Sequence, residues 1–251
     1  MLDPKSITLS RRSLVGSLLG LALAGCSDSE KVTVRYRLIA TIMYDGKFRE
    51  ASTVMECQYG RIKRSLIGAG GSTQLRGEAL IFDLPDGKTF YILPWSREKS
   101  GSLNQFYEHV LLKTLGLKTS VGSLSDADLE RIKAARGRVP LNAWGLLPTI
   151  VAFENEKNPK TIFEVHPWRL EYTFPGVRLM EQDFPKIKFI GLDIEITEEP
   201  LTEKLRDRLP WLGLWAPAEV FEREAPPVGP MRDAPIGLII TKTHFFGLSR
   251  W

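Results

Sequence analysis

VTVRYRLIATIMY, residues 32–44, is the stretch that decides the architecture. Val32, Val34, Tyr36, Leu38, Ala40 and Ile42 share one parity, while Arg35, Arg37 and Thr41 fall on the other. A period of two with one apolar face is the signature of a half-buried β-strand. Asp45-Gly46 follows at once and supplies the positive φ angles of a tight hairpin turn, so residues 47–59 read as the returning strand.

Toward the C-terminus the scheme recurs. Residues 75–84 and 89–95 are strand-like and flank the turn Pro85-Asp86-Gly87-Lys88, so four consecutive antiparallel strands predict a meander. Residues 147–154 and 161–166, around the polar turn 155–160, predict a third hairpin. In residues 186–197, Ile190, Leu192, Ile194 and Ile196 share a face and are expected in the core. A last strand is expected over residues 236–246.

Between these strands lie helical signals. Leu103, Phe106, Tyr107, Val110, Leu111 and Leu115 recur at helical spacing before Gly116. A second helix starts at Ser125, with Asp126 and Asp128 in its first turn, Leu124 and Leu129 as a staple, and Gly137 to close it. Pro200 opens a short third helix with Leu201, Leu205 and Leu209 facing inward, and Pro210 ends it. Residues 216–235 hold five prolines and read as an extended loop. The expected fold is one α+β domain over residues 32–251: an antiparallel, hairpin-built sheet covered on one face by two or three helices.

Toward the N-terminus the chain carries an address. Residues 10–26 read SRRSLVGSLLGLALAGC: Arg11 and Arg12, then an apolar run from Leu14 to Ala24. About 17 Å of helix is too short for a hydrocarbon core of about 30 Å, so residues 1–25 read as a signal peptide. Leu23-Ala24-Gly25-Cys26 resembles the lipobox of bacterial lipoproteins. That resemblance implies a diacylglyceryl group on the Cys26 sulfur, cleavage before Cys26, and acylation of the new amino group with a chain such as palmitate. Ser10-Arg11-Arg12-Ser13-Leu14-Val15 also resembles a twin-arginine export signal, with Leu14 where that motif usually has Phe. Residues 26–31 form a short tether, and Ser27 resembles an outer-membrane sorting signal, followed by Asp28.

Removing residues 1–25 takes away three cations and one anion, Lys5, Arg11, Arg12 and Asp3, and lowers the formal charge from +4 to +2. The basic excess is therefore partly a property of the signal, and no nucleic-acid partner is inferred. With 43% hydrophobic residues the chain has ample material for a core. Of the two cysteines, lipidation of Cys26 leaves Cys57, inside STVMECQY, as a buried and inert thiol.

A wider resemblance covers most of the chain after the signal. It is carried by Leu147-Pro148-Thr149-Ile150-Val151-Ala152-Phe153, Asn158-Pro159, Val165-His166-Pro167 and Phe174-Pro175-Gly176-Val177-Arg178-Leu179. Ile194-Glu195-Ile196-Thr197-Glu198-Glu199-Pro200-Leu201-Thr202, Arg208-Leu209-Pro210-Trp211-Leu212, the Gly-rich loop and Arg76-Gly77-Glu78-Ala79 complete it. Together they resemble a family of uncharacterised proteobacterial envelope proteins, to which no activity is attached. At the Val-x-Pro turn such proteins often carry Asp, where this chain has His166.

The chemistry-bearing residues are few. Asp193 and Glu195 lie two apart on one strand, about 7 Å from each other, a separation suited to an acid–base pair or an oxygen-ligand metal site. The opposite face is apolar, so theirs reads first as the solvated face. His109, His166 and His244 show no paired spacing, and the Gly-rich loop over residues 67–73 runs into a strand rather than a helix, against phosphate binding. Trp168, beside His166, can wall a pocket, and Trp211 and Trp215 occupy an apolar run that suits core, membrane or partner. The reading is a lipid-anchored envelope protein, periplasm-facing and favouring the outer membrane, that binds an envelope protein partner without cofactor or metal. The alternative is a periplasmic hydrolase or metal-dependent enzyme using Asp193, Glu195 and a histidine.

Overall fold

The computed structural model describes residues 29–62, 70–97, 103–105, 109–118, 121–141, 148–167, 174, 176–213, 221 and 234–247. Its backbone is dominated by two five-stranded sheets. The first contains β1 (Ser29–Tyr44), β2 (Lys47–Ile62), β3 (Gly70–Arg76), β8 (Arg138–Pro140) and β12 (Ile187–Ile196) in the order β3-β2-β1-β12-β8. The second contains β4 (Leu80–Asp83), β5 (Thr89–Ile92), β9 (Ile150–Phe153), β10 (Ile162–His166) and β11 (Arg178–Leu179) in the order β11-β10-β9-β5-β4. A small ribbon pairs β6 (Trp95–Arg97) with β7 (Leu103–Gln105). Every pairing is antiparallel except β10 with β11. The helices are short: α1 (Val110–Thr114), α2 (Asp126–Lys133), α3 (Met180–Asp183), α4 (Leu205–Arg208) and α5 (Ile236–Ile239).

The first hairpin forms as its sequence dictates. Asp45 at φ 50 and Gly46 at φ 76 make the primed turn, and the register runs unbroken from Tyr44 opposite Lys47 to Ser29 opposite Ile62. Val32, Val34, Tyr36, Leu38, Ala40, Ile42 and Tyr44 are all buried on one face. Strand β1 opens at Ser29, so residues 29–31 belong to the sheet and not to the tether.

The four-strand meander is corrected. After β3 the chain breaks at Gly77, φ 134, and β4 and β5 leave for the second sheet. One core holds the inward side chains of both sheets, including Tyr36, Leu38 and Met55 from the first and Phe82, Phe90 and Ala152 from the second. The other face of the second sheet is buried too: Tyr91, Val151 and Ile162 pack with Leu205, Leu209, Ile239 and Phe245. The single sheet with helices on one face thus becomes two sheets sharing a core, with a layer of short helices and turns beyond the second.

Three further expectations change. Residues 103–105 pair with β6 where a helix is expected, and the described helix there is Val110–Thr114; Gly116, at φ 65, follows its last turn. Residues 200–204 are not helical. Thr202 bonds the β2 edge beyond β3, its Oγ1 accepting from Val54 N at 2.9 Å, and the helix waits until Leu205. Pro210 begins a 3-10 turn rather than only ending a helix. Residues 236–246 form α5 and a 3-10 turn, Lys242–Phe245, where a strand is expected; Ile236, Ile239 and Ile240 are buried at helical spacing. Only Phe246 bridges, to Glu78.

The helix from Ser125 is as read. Ser125 accepts from Asp128 N, the Asp128 carboxylate accepts from Ser125 N, and the helix runs to Lys133. Its end is at Ala134, and Gly137, at φ 91, turns the chain into β8 instead of closing the helix. Among the described residues no helix is long and apolar enough to cross a membrane. Most of the proline loop, 216–235, lies outside the described residues; within it Phe221 and Ala234 are buried.

Candidate functional site

Asp193 and Glu195 lie on the outer face of the first sheet, where β12 runs between β1 and β8. Each is held by an arginine from a neighbouring strand. Arg138 Nη2 lies 2.6 Å from Asp193 and 2.8 Å from Glu50, and Arg37 binds Glu195 at 2.7 Å and also Glu199. Farther along, Glu56 joins Arg35 to Arg76. This face is a lattice of cross-strand charge pairs at mid-exposure, each worth up to about 1 kcal/mol. The two carboxylates, read first as a solvated face and otherwise as an acid–base or metal pair, are engaged in cross-strand ion pairs.

The histidines are dispersed. His109 precedes α1, and His244 accepts from Thr241 N at 2.8 Å to cap the last 3-10 turn, its ring 4.8 Å from Trp95. His166 lies beside a buried ion pair: Arg97 donates to Glu164 at 2.7 Å with side-chain exposures of 2% and 1%, and His166 Nε2 is 3.6 Å from Glu164. Arg97 also donates to the Ala234 carbonyl and lies over the Phe174 ring at 3.9 Å. Among the described residues no three of His, Cys, Asp and Glu converge as a metal-binding group.

Trp211 belongs to the second core. Its indole donates to the Glu156 carbonyl at 2.8 Å and its ring meets Phe153, Phe221 and Phe245 edge-on at 5.5–5.7 Å. Trp168 and Trp215 lie outside the described residues, as do Arg11, Arg12 and Cys26. Cys57 is fully buried, as read. The Gly-rich stretch is described from Gly70 onward and is strand there. A Cβ on Gly71 would lie 2.4 Å from Gly122 N, so close backbone packing explains that glycine.

Among the described residues there are two clefts to consider, and the sequence pattern points to neither. One, of about 590 Å³, lies where β3 ends, between Arg76 and the segment carrying Thr202 and Arg206. At its wall Glu78, 4% exposed, accepts from Lys204 N at 2.7 Å and from Leu205 N at 3.1 Å, fixing the start of α4. Burial pushes the Glu78 carboxyl above its usual range, against these amide bonds. Its charged walls are partly committed: Arg76 pairs with Glu56, and Arg206 lies over Phe246.

The other cleft, about 520 Å³, opens where three turns meet: β4–β5, β9–β10 and the end of α3. Arg178 stacks on Phe163 at 4.0 Å and forks to Glu154 at 2.8 Å and Asp183 at 3.3 Å. Glu156 is held by Tyr91 and Arg208, and Lys88 donates to the Asp183 carbonyl. Burial pushes the Tyr91 hydroxyl far up, so it stays protonated and donates to Glu156. Asp183 Oδ2 is buried, with no hydrogen-bond partner.

Comparison with family models, curated proteins and solved structures finds no match for this chain.

Proposed function

We propose that this is a lipid-anchored protein of a bacterial envelope that acts by binding: a scaffold, accessory subunit or inhibitor beside the membrane. The observation that carries the reading is Leu23-Ala24-Gly25-Cys26 placed directly before the folded body. Strand β1 begins at Ser29, so a lipidated Cys26 lies at most about 11 Å from the sheet. Two or more acyl chains on Cys26 make such anchoring stable, where one would be marginal. The likeness to uncharacterised proteobacterial envelope proteins and the outer-membrane-type Ser27 belong to the same reading. So does a body of the α+β type, periplasm-facing and made without a resident cofactor.

The alternative, a hydrolase or metal-dependent enzyme on Asp193, Glu195 and a histidine, has less support. Both carboxylates are taken up by Arg138 and Arg37, and no histidine joins them in a metal-ligand group among the described residues. A crosslinking pull-down from native membranes, wild type against Cys26→Ala, tests the proposal. Wild type is expected in the membrane fraction with a specific partner, and the variant is expected to lose the anchor and the partner. Unchanged mass and location of the variant would overturn the anchor, and a wild type that captures no partner would overturn the binding role.

A further inference from the structure

The tip of the β1–β2 hairpin carries apolar surface that neither core uses. Among the described residues Phe48, 71% exposed, and Ile190, 38% exposed, are the large apolar side chains that face solvent. Both belong to the same end of the first sheet. Met43 of β1 stands opposite Phe48 on one side and Lys188 on the other, and Ile190 shares the outward parity of Lys188. Phe48, Met43 and Ile190 therefore lie on one face across three adjacent strands, each about 4.8 Å from the next, and none joins either core.

Cations surround this apolar strip. Within residues 45–50 and 186–190, Lys47, Arg49, Lys186 and Lys188 are all exposed, against the carboxylates of Asp45 and Glu50. Glu50 is already met by Arg138, so the tip keeps an excess of positive charge. Lys186 lies 5.9 Å over the Tyr44 ring and its carbonyl accepts from Asp45 N, which ties the turn to the start of β12. The turn itself projects: a Cβ on Gly46 would meet nothing within 4 Å. A convex tip with an aromatic side chain among cations suits a partner that yields around it and carries negative charge. A bilayer interface does both, taking the aromatic ring at the headgroup level and the cations among anionic headgroups.

We propose that the hairpin tip, Phe48 with Lys47, Arg49, Lys186 and Lys188, docks on a bilayer surface of anionic phospholipid. The choice of a bilayer rests on the lipid-anchored reading, whose short tether keeps the body within reach of one. Strand β1, 16 residues and about 50 Å long, runs from that tether to the tip, so lipid and hairpin hold the two ends of one strand and lay it along the membrane. The full-length chain with Cys26→Ala tests the tip apart from the lipid. It carries an environment-sensitive fluorophore at Phe48→Cys, at Ser52→Cys on the same face, or at Glu130→Cys on α2, with Cys57 buried away from the label. The probes are vesicles of equal parts phosphatidylethanolamine and phosphatidylglycerol, against phosphatidylcholine alone. On the anionic vesicles the label at position 48 should shift to the blue and be quenched by nitroxide lipid, the label at 52 less so, and the label at 130 not at all. Lys47→Gln with Lys188→Gln should weaken the response at least tenfold, at about fivefold per cation, and Phe48→Ser should remove most of the response at position 52. Melting temperatures should stay unchanged, since all three residues are exposed. No response at position 48, equal responses at 48 and 130, an equal response on phosphatidylcholine, or indifference to these variants would overturn the docking and leave the tip to a protein partner. Lipid on Cys26 is read separately, from the mass of the wild type, so failure of the anchor and failure of the tip are distinct results.

Discussion

Glu78 illustrates how much one buried carboxylate organises. It comes just after the chain leaves the first sheet, its backbone bridges Phe246, and its side chain takes the amides of Lys204 and Leu205, more than a hundred residues away. Burial is the largest influence on its pKa and raises it from the ordinary 4.5. A carboxyl with a folded-state pKa above its unfolded value contributes most to stability below the unfolded value, and that contribution is lost as pH rises through the folded one. Urea unfolding of wild type and Glu78→Gln from pH 4 to 7 should therefore show the wild-type advantage shrinking as pH rises. A difference that stayed level or grew would mean that the two amide bonds outweigh burial. In the sequence Glu78 is visible only as part of Arg76-Gly77-Glu78-Ala79. A capping partner that distant leaves no spacing to read.

At the scale of elements, strands with one solvated face were legible and elements covered on both faces were not. The parity of β1 reports its burial at every position of residues 32–44 except Ile39, which is 4% exposed on the outward parity, because solvent on one side enforces alternation. Strand β12 follows the rule except at one point. Thr41 faces Gly191 but Ile42 faces Phe189, so Ile190 is the extra residue of a bulge and stands 38% exposed while Leu192 and Ile194 stay buried. Periodicity cannot show a bulge, since it assumes the register that the bulge breaks. Ile190→Ala should change stability by no more than about 0.5 kcal/mol, while Ile194→Ala should cost about 2–5 kcal/mol in chemical denaturation. Comparable losses at both positions would return Ile190 to the core. The misread segments, residues 103–105, 200–204 and 236–246, share a different cause. Each takes its conformation from a partner outside the segment that its own pattern does not show: Arg97 for Leu103 and, far off in sequence, Val54 for Thr202 and Glu78 for Phe246.

At the scale of the whole molecule, the second sheet is the element that both cores share, and the Arg97–Glu164 pair lies on its far side. Ile162, Glu164 and His166 alternate on that face. The layer that buries it arrives from the ends of other segments, Arg97, Phe174 and Ala234, which no local pattern announces. With exposures of 2% and 1%, the ion pair gains from mutual attraction and loses from desolvation, so its net worth is small while the cost of breaking it is not. Arg97→Met leaves a carboxylate buried beside His166, and Glu164→Leu leaves a guanidinium facing apolar carbon. Each single variant is expected to lose about 3–5 kcal/mol in urea unfolding, and Arg97→Met with Glu164→Leu should recover most of that loss. Fluorescence and circular dichroism should follow one transition in every variant if the sheet couples the two cores. Strictly additive losses in the double variant would mean that each charge acts alone, Arg97 through the Ala234 carbonyl and Glu164 through His166. The second sheet would then be held by two independent contacts rather than one compensated pair.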